Sequence, residues 1–400
     1  MPTSLNDYKN IVGEELIQKI YEEAAPLKDK YVEHINSTFH GGGVAEILSN
    51  LVLLMNDVGI KTEWRLLKGN QDFFTVTKKF YNALQGASIK LSDNKKRIYL
   101  ETNQTNAIFM HISSCDCVII HDHQPLPLID CYKRKQPWIW RCHADLSNLN
   151  QIIWDYLKQF ILKYDSAIFS IEKYKKQDLQ LPYNIIPPSI DPLTNKNKFI
   201  PFSFVKRHLS KFGIDLDKPI ISQISRFDRW KDPLGVIRSF ETIKKEVNCK
   251  LVLSGNMAAD DPEGPKMYEK LLQKVKDNKD VKIINFADDL LVNCLQRASD
   301  VIIQKSIREG FGLTVTEALW KEKPVVAGNV GGIPLQVIDG KNGYLINSIN
   351  ECSKRTIKLL KNPQLRGEMG KFGAEHVKKN FLITRELMDH IRLLKNTINR

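Results

Sequence analysis

Glu309 and Glu317 bracket Gly310, Phe311, Gly312, Leu313, Thr314, Val315 and Thr316. A carboxylate on a loop can accept hydrogen bonds from sugar hydroxyls. One placed about a turn into a helix can take both hydroxyls of a ribose. Gly310 and Gly312 carry no Cβ, so a ligand can come close to the backbone there. The amides that open the following helix have no intrahelical partner, and with the helix dipole they form an anion site. A phosphate held between two diol-binding carboxylates is the shape of a nucleotide-sugar site. Taken alone, the same stretch is also an ordinary helix start whose acidic residues complement the dipole.

The flanking residues say what must position this loop. Ser299–Gln304 is a short apolar run that reads as a buried strand, and Ala318–Trp320 reads as helix. The stretch is therefore a strand-to-helix crossing of an α/β sheet. A second loop follows the predicted strand 218–224 and carries Arg226 and Lys231. Arginine forks onto phosphate and lysine adds a point charge. Alone these are two solvated loop cations; on the same sheet edge as Glu309 and Glu317 they make a pyrophosphate clamp. Val330-Gly331-Gly332 starts another turn at that edge.

The first half repeats the pattern. Tyr31–Ile35 predicts a strand, Gly41, Gly42 and Gly43 a glycine loop, and 44–58 an apolar-faced helix. The loop lacks the G-x-G-x-x-G fingerprint, yet its amides can meet phosphate or sugar. Strands predicted at 116–120 and 137–142 end in His121, Asp122 and His123, and in His143. Residues just past strand C-termini are where open α/β sheets keep their ligands. Further strands are expected at 62–67, 164–170 and 184–186. After the prolines of 187–192, they recur at 250–253, 281–284, 301–304 and 324–326. Residues 1–30 and the last 50 read as helical. Strand and helix alternate, which predicts parallel sheets with right-handed crossovers.

The totals narrow the classes. At 400 residues, two domains are the default. No apolar run approaches the roughly 18 residues of a membrane span, so membrane insertion is not expected. The first residues lack a secretory pattern, which predicts a cytoplasmic protein. Seven cysteines without metal-type spacing read as buried small hydrophobes in a reducing compartment. The net charge of +13 favours anionic partners. The lysines are scattered, with no recognition-helix motif, so a phosphate-bearing small substrate is expected rather than nucleic acid.

The E-x7-E motif, the S-R-x-x-x-x-K loop, the VGG turn and the GGG loop resemble the retaining glycosyltransferases of family 4. His34-Ile-Asn-Ser-Thr, Phe80-Tyr-Asn-Ala-Leu-Gln-Gly86, His121-Asp-His-Gln-Pro125 and Trp138-Ile-Trp-Arg-Cys-His143 narrow the resemblance to the trehalose glycosyltransferring synthases. Fungal-type trehalose phosphorylases share much of the pattern, and His123 stands where the synthases are expected to have proline. The resemblance implies the α/β GT-B fold, two Rossmann-like domains facing each other across a cleft. The expected boundaries are 1–190 for the acceptor domain and 191–380 for the donor domain, with the last helix, about 381–400, packing back on the first.

It also implies roles. Arg226, Lys231, Gly42, Gly43, Gly312, Leu313 and Thr314 would hold the donor diphosphate, and Glu317 the ribose. Glu309, Gly310, Phe311 and Gly312 would hold the donor glucose. His143 would sit with Glu309 at the reacting centre, and Asn36, His40, Asn82, Gln85 and Asp122 would form the acceptor pocket. The substrates would be a nucleoside-diphosphate glucose and free glucose, with no cofactor and no metal, and a homodimer is compatible with this reading. Glucose-1-phosphate as donor, in a phosphorylase, is the second enzyme reading. A non-catalytic protein that binds nucleotide-sugar or nucleic acid is the third.

Overall fold

In the computed structural model, residues 4–39, 42–112, 114–255, 264–286 and 288–398 are described. The chain separates into two compact units, Met1–Pro188 with Ile383–Arg400, and Ser189–Leu382.

The first unit is built on β1 (Tyr31–Asn36), β2 (Lys61–Leu66), β3 (Cys117–His121), β4 (Trp138–Cys142), β5 (Ser166–Phe169) and β6 (Tyr183–Ile185). All pair in parallel, in the order 2-1-3-4-5-6. β3 and β4 are buried along their whole length, as expected for strands covered on both faces. On one face Val118, Ile120, Trp138 and Trp140 join Phe73, Phe80, Trp154 and Leu157 in a single apolar core. On the other face sit His34, His121 and Arg141, and the helix Ile383–Ile398 brings Glu386 and His390 to them. That helix also ties Lys395 to Glu23 at 2.6 Å.

The second unit holds β7 (Ile220–Ile224), β8 (Lys250–Gly255), β9 (Val281–Asn285), β10 (Val301–Gln304), β11 (Val325–Gly328) and β12 (Gly343–Ile346). They too are all parallel, in the order 12-11-10-7-8-9. Phe227, Val236, Phe240, Leu251, Val301 and Ile303 belong to its core.

Three elements depart from the sequence reading. The N-terminal helical stretch is broken into Leu5–Tyr8, Lys9–Val12 and Glu14–Ala24, with Gly13 at φ 87° between the last two. The helix Asp93–Met110 has no apolar stripe to announce it. Its buried Asn106 instead donates to the Lys68 carbonyl at 2.7 Å and accepts from the Lys68 amide at 2.8 Å. β12 is a four-residue edge strand with no apolar run long enough to mark it.

Candidate active site

β7 and β10 are adjacent and parallel, so the loops that follow them leave the same sheet edge. The Ile307 amide donates to the Trp230 carbonyl at 2.8 Å, which binds one loop to the other. Across this junction Lys231 Nζ lies 2.6 Å from both carboxylate oxygens of Glu309. Ser306 donates to Glu309 Oε2 at 3.0 Å, and Gln304 reaches the same oxygen at 3.4 Å. Glu309 is only 6% exposed, so its charge is held by polar side chains, Lys231, Ser306 and Gln304 among them, rather than by bulk water. The next carboxylate inward, Asp232, caps the helix Pro233–Glu246 by accepting from the Gly235 amide at 3.0 Å. It also pairs with Lys305, which is itself buried.

Gly312 starts the helix Leu313–Trp320 at φ 90°, a conformation that costs a side chain about 1–2 kcal/mol. A Cβ there would also stand 3.2 Å from Glu309 Cγ. The VGG turn closes on the same loop, since a Cβ at Gly332 would meet the Gly310 carbonyl and Phe311 at 2.9 Å. One turn into the helix, Glu317 is 3% exposed and accepts from Gln296 Nε2 at 3.1 Å through Oε2. The fold therefore gathers Lys231, Glu309, Gly310, Phe311, Gly312 and, one helical turn on, Glu317 around one loop junction. Arg226 is in the loop after β7, partly exposed.

In the first unit the strand ends bring three imidazoles together. His34 Nδ1 and His121 Nε2 are 3.0 Å apart, and His121 Nδ1 and His143 Nε2 are 3.0 Å apart. The rings stack with centroids 5.2 and 5.3 Å apart. Burial, then the Arg141 charge, pushes His34 down to about 3. Burial likewise holds His121, His143 and His390 well below the usual histidine range. The rings are thus neutral near pH 7. Asp122 sits at φ 61° and accepts the His143 backbone amide at 2.8 Å. Burial raises its carboxyl to about 6, against the opposing pull of that amide and of Arg141. His143 alone of the three rings is partly exposed.

Asn36 closes β1 and is engaged on both sides: it accepts from Trp64 Nε1 at 2.7 Å and donates to the Thr38 carbonyl at 2.8 Å. Asn82 and Gln85 are buried at the end of the helix Gln71–Leu84. The Asn150 amide bonds the Ala83 carbonyl at 2.9 Å and pins that end to the loop after β4. Gly42, in extended backbone, caps the helix that Gly43 begins. His40 lies outside the described residues. The sequence reading missed Ser306, Gln304 and Gln296, which hold the two glutamates, and His34, Arg141, Glu386 and His390. Histidines ending β3 and following β4 pointed to the sheet edge; nothing in the sequence says that His34 and a residue more than 350 positions later share their face. Among the described residues, no group of three or more His, Cys, Asp or Glu side chains is arranged to hold a metal ion. Nor, among the described residues, is any helix long and apolar enough to cross a membrane.

Family models match a stretch of each unit. Residues 34–176 match the family described as trehalose synthase, N-terminal domain. Residues 205–376 match glycosyl transferases group 1. Trehalose synthase of Thermococcus litoralis is 48% identical over 398 residues, covering 98% of this chain and 97% of that protein. Trehalose synthase of Rubrobacter xylanophilus is 43% identical over 400 residues, covering 98% and 96%. A trehalose phosphorylase of Grifola frondosa is more distant, at 26% identity with 93% of this chain but 58% of the phosphorylase covered. Among solved structures, the UDP-forming alpha,alpha-trehalose-phosphate synthase of Burkholderia xenovorans matches with a TM-score of 0.74 at 12% identity, covering 92% of this chain and 100% of that one. That likeness carries the fold, two parallel six-stranded α/β units of the GT-B type. At nearly half identity over almost its full length, the chain belongs to the trehalose synthase family of glycosyltransferases.

Proposed function

We propose that this protein is a retaining glucosyltransferase that makes trehalose from a nucleoside-diphosphate glucose and free glucose, without a metal ion. The observation that carries the reading is the buried Lys231–Glu309 junction one helical turn from Glu317. It supports a cation for the diphosphate, a carboxylate for the glucose and a second carboxylate for the ribose. The Lys231 ammonium has three N–H donors. Contact with Glu309 leaves one for a phosphate oxygen. Arg226 and the amides of Gly312, Leu313 and Thr314 complete the clamp, and in the first unit Gly42 and Gly43 offer further backbone donors.

Departure of the nucleoside diphosphate builds negative charge on its oxygens, and preorganised cations and helix amides stabilise that charge without reorganising. Glu309 holds hydroxyls of the transferred glucose. Glu317, held by ribose and Gln296, is not the nucleophile, so the pair is not read as the two carboxylates of a glycosidase. The acceptor hydroxyl attacks the face the leaving group departs from and passes its proton to the departing phosphate. His143, with Asn36, His40, Asn82, Gln85 and Asp122, serves the acceptor and the reacting centre from the first unit.

The test is product analysis. The protein is incubated with glucose and, in turn, ADP-, UDP- and GDP-glucose and glucose-1-phosphate. A nucleotide donor should yield a non-reducing disaccharide and free nucleoside diphosphate, and turnover should survive exhaustive chelation. Turnover of glucose-1-phosphate alone would establish the phosphorylase reading instead. A loss on chelation that Mg²⁺ or Mn²⁺ restores would overturn the cationic clamp.

A further inference from the structure

Three imidazoles in line form a system in which the proton on one ring dictates the proton on the next. A neutral imidazole carries one N–H and one bare nitrogen. Each nitrogen pair here, His34 Nδ1 with His121 Nε2 and His121 Nδ1 with His143 Nε2, is at hydrogen-bonding distance, 3.0 Å. Each pair therefore needs one proton, and the chain has only two coherent arrangements. In one, every ring donates toward His143, and His143 presents Nδ1–H. In the other, every ring donates toward His34, His143 presents a bare Nδ1, and His34 presents Nε2–H.

The far end of the chain chooses between them. His34 is fully buried, and its Nε2 has no hydrogen-bond partner. A buried N–H without an acceptor is the rarer and costlier orphan, compared with a bare acceptor nitrogen. The surroundings push the same way. Arg141 shares this face, its guanidinium 1% exposed with neither terminal nitrogen hydrogen-bonded. Its charge acts on His34, His121, His143 and His390 alike. A lone pair tolerates that positive field and an N–H does not. Glu386 is the carboxylate facing Arg141, at 3.6 Å, and also lies 3.9 Å from His390 Nε2. Asp122 holds the His143 backbone rather than its ring.

We propose that His34, His121 and His143 form a tautomer chain, in which His34 and His121 are positioning residues that fix His143 as a neutral imidazole donating from Nδ1. His143 then offers a hydrogen bond to an oxygen of a bound sugar or phosphate and does not serve as a base. This agrees with an acceptor proton that leaves on the departing phosphate. The tautomer assignment stands on the fold; its meaning for catalysis rests on the proposed reaction.

The experiment is nitrogen-15 NMR of the full chain labelled at histidine, read near pH 7 without substrate. His143 should show a pyrrole-type Nδ1 and a bare Nε2, and His121 and His34 the same form. In His34→Phe, which keeps the bulk and removes the anchor, the His143 pattern should shift toward an average of the two tautomers. Its kcat should fall roughly tenfold with donor KM little changed, as for one misdirected hydrogen bond. A wild-type His143 protonated on Nε2, or charged, would overturn the proposal. So would a His143 spectrum that His34→Phe leaves unchanged. Should His34→Phe fail to fold, His121→Asn supplies the comparison, and the wild-type spectrum decides the tautomer without any variant. A spectrum as expected with no disaccharide formed would remove the reaction and leave the chain.

Discussion

Glu309 and Glu317 are both buried carboxylates on one loop-and-helix junction, yet their neighbours differ in kind. Glu309 faces a cation, Lys231, while Glu317 faces a neutral amide, Gln296. Their replacement should separate accordingly. A hydrogen bond to a charged group is worth roughly 1.5–3 kcal/mol. Glu317→Gln should therefore raise donor KM roughly 10- to 150-fold with kcat nearly kept. Glu309→Gln should lower kcat, because its contacts strengthen as charge builds on the sugar ring. It also leaves the partly buried Lys231 ammonium without a counter-charge, a cost of roughly 1–3 kcal/mol. The double variant Glu309→Gln, Lys231→Met should recover most of that stability and none of the activity. Steady-state kinetics beside urea unfolding checks all three, and equal modest kcat losses in the two single variants would sink the role assignment.

The junction is held by how two helices begin. Asp232 has φ 46° and caps Pro233–Glu246 while pairing with Lys305. Loss of a cap costs about 1 kcal/mol, and a buried cation stripped of its partner costs about 3–5 kcal/mol. Asp232→Ala should thus destabilise the protein by about 4–6 kcal/mol. Asp232→Asn, which keeps the cap, should lose less, and a denaturant series on the two variants measures the difference. An equal loss in both would place the effect in the Lys305 pair alone. The same element shows what a sequence can and cannot display. Glu309 is legible because a glycine-bearing loop follows an apolar run, and Lys231 because a loop with two cations follows another; period and turn chemistry are local signals. The helix Asp93–Met110 hides because its inward residues include Tyr99, Asn103 and Asn106, which donate to the His123, Gln124 and Lys68 carbonyls respectively. The Arg141–Glu386 pair joins β4 to a helix that begins at Ile383; no local pattern relates positions so far apart.

At the scale of the whole molecule, the two units differ in how they meet acid. His34, His121, His123, His143 and His390 all belong to the first unit, and burial holds each below the usual histidine range. The second unit's histidines, His208 and His376, are only partly buried. A histidine kept neutral by the fold gains its proton on unfolding, so its contribution is present above about pH 6.5 and is lost as the pH falls below it. Asp122, raised to about 6, and Glu33, also raised by burial, act in the opposite sense. Each takes up its proton in the folded state first, and each adds stability as the pH falls. The five histidines outnumber Asp122 and Glu33, so unfolding takes up protons on balance near pH 5. At 1.36 kcal/mol per proton and pH unit, the first unit should lose on the order of a few kcal/mol for each unit of pH between about 6 and 5. Urea unfolding at pH 7, 6 and 5, each point read by an identical pulse of hydrogen exchange, resolves peptides of the two units. The midpoint for peptides within 31–185 should fall steeply with acid, while that for peptides within 220–346 should move much less. A first-unit midpoint that holds or rises on acidification would show that the buried imidazoles are not neutral in the fold, and would remove the physical basis for a chain of neutral rings at His143.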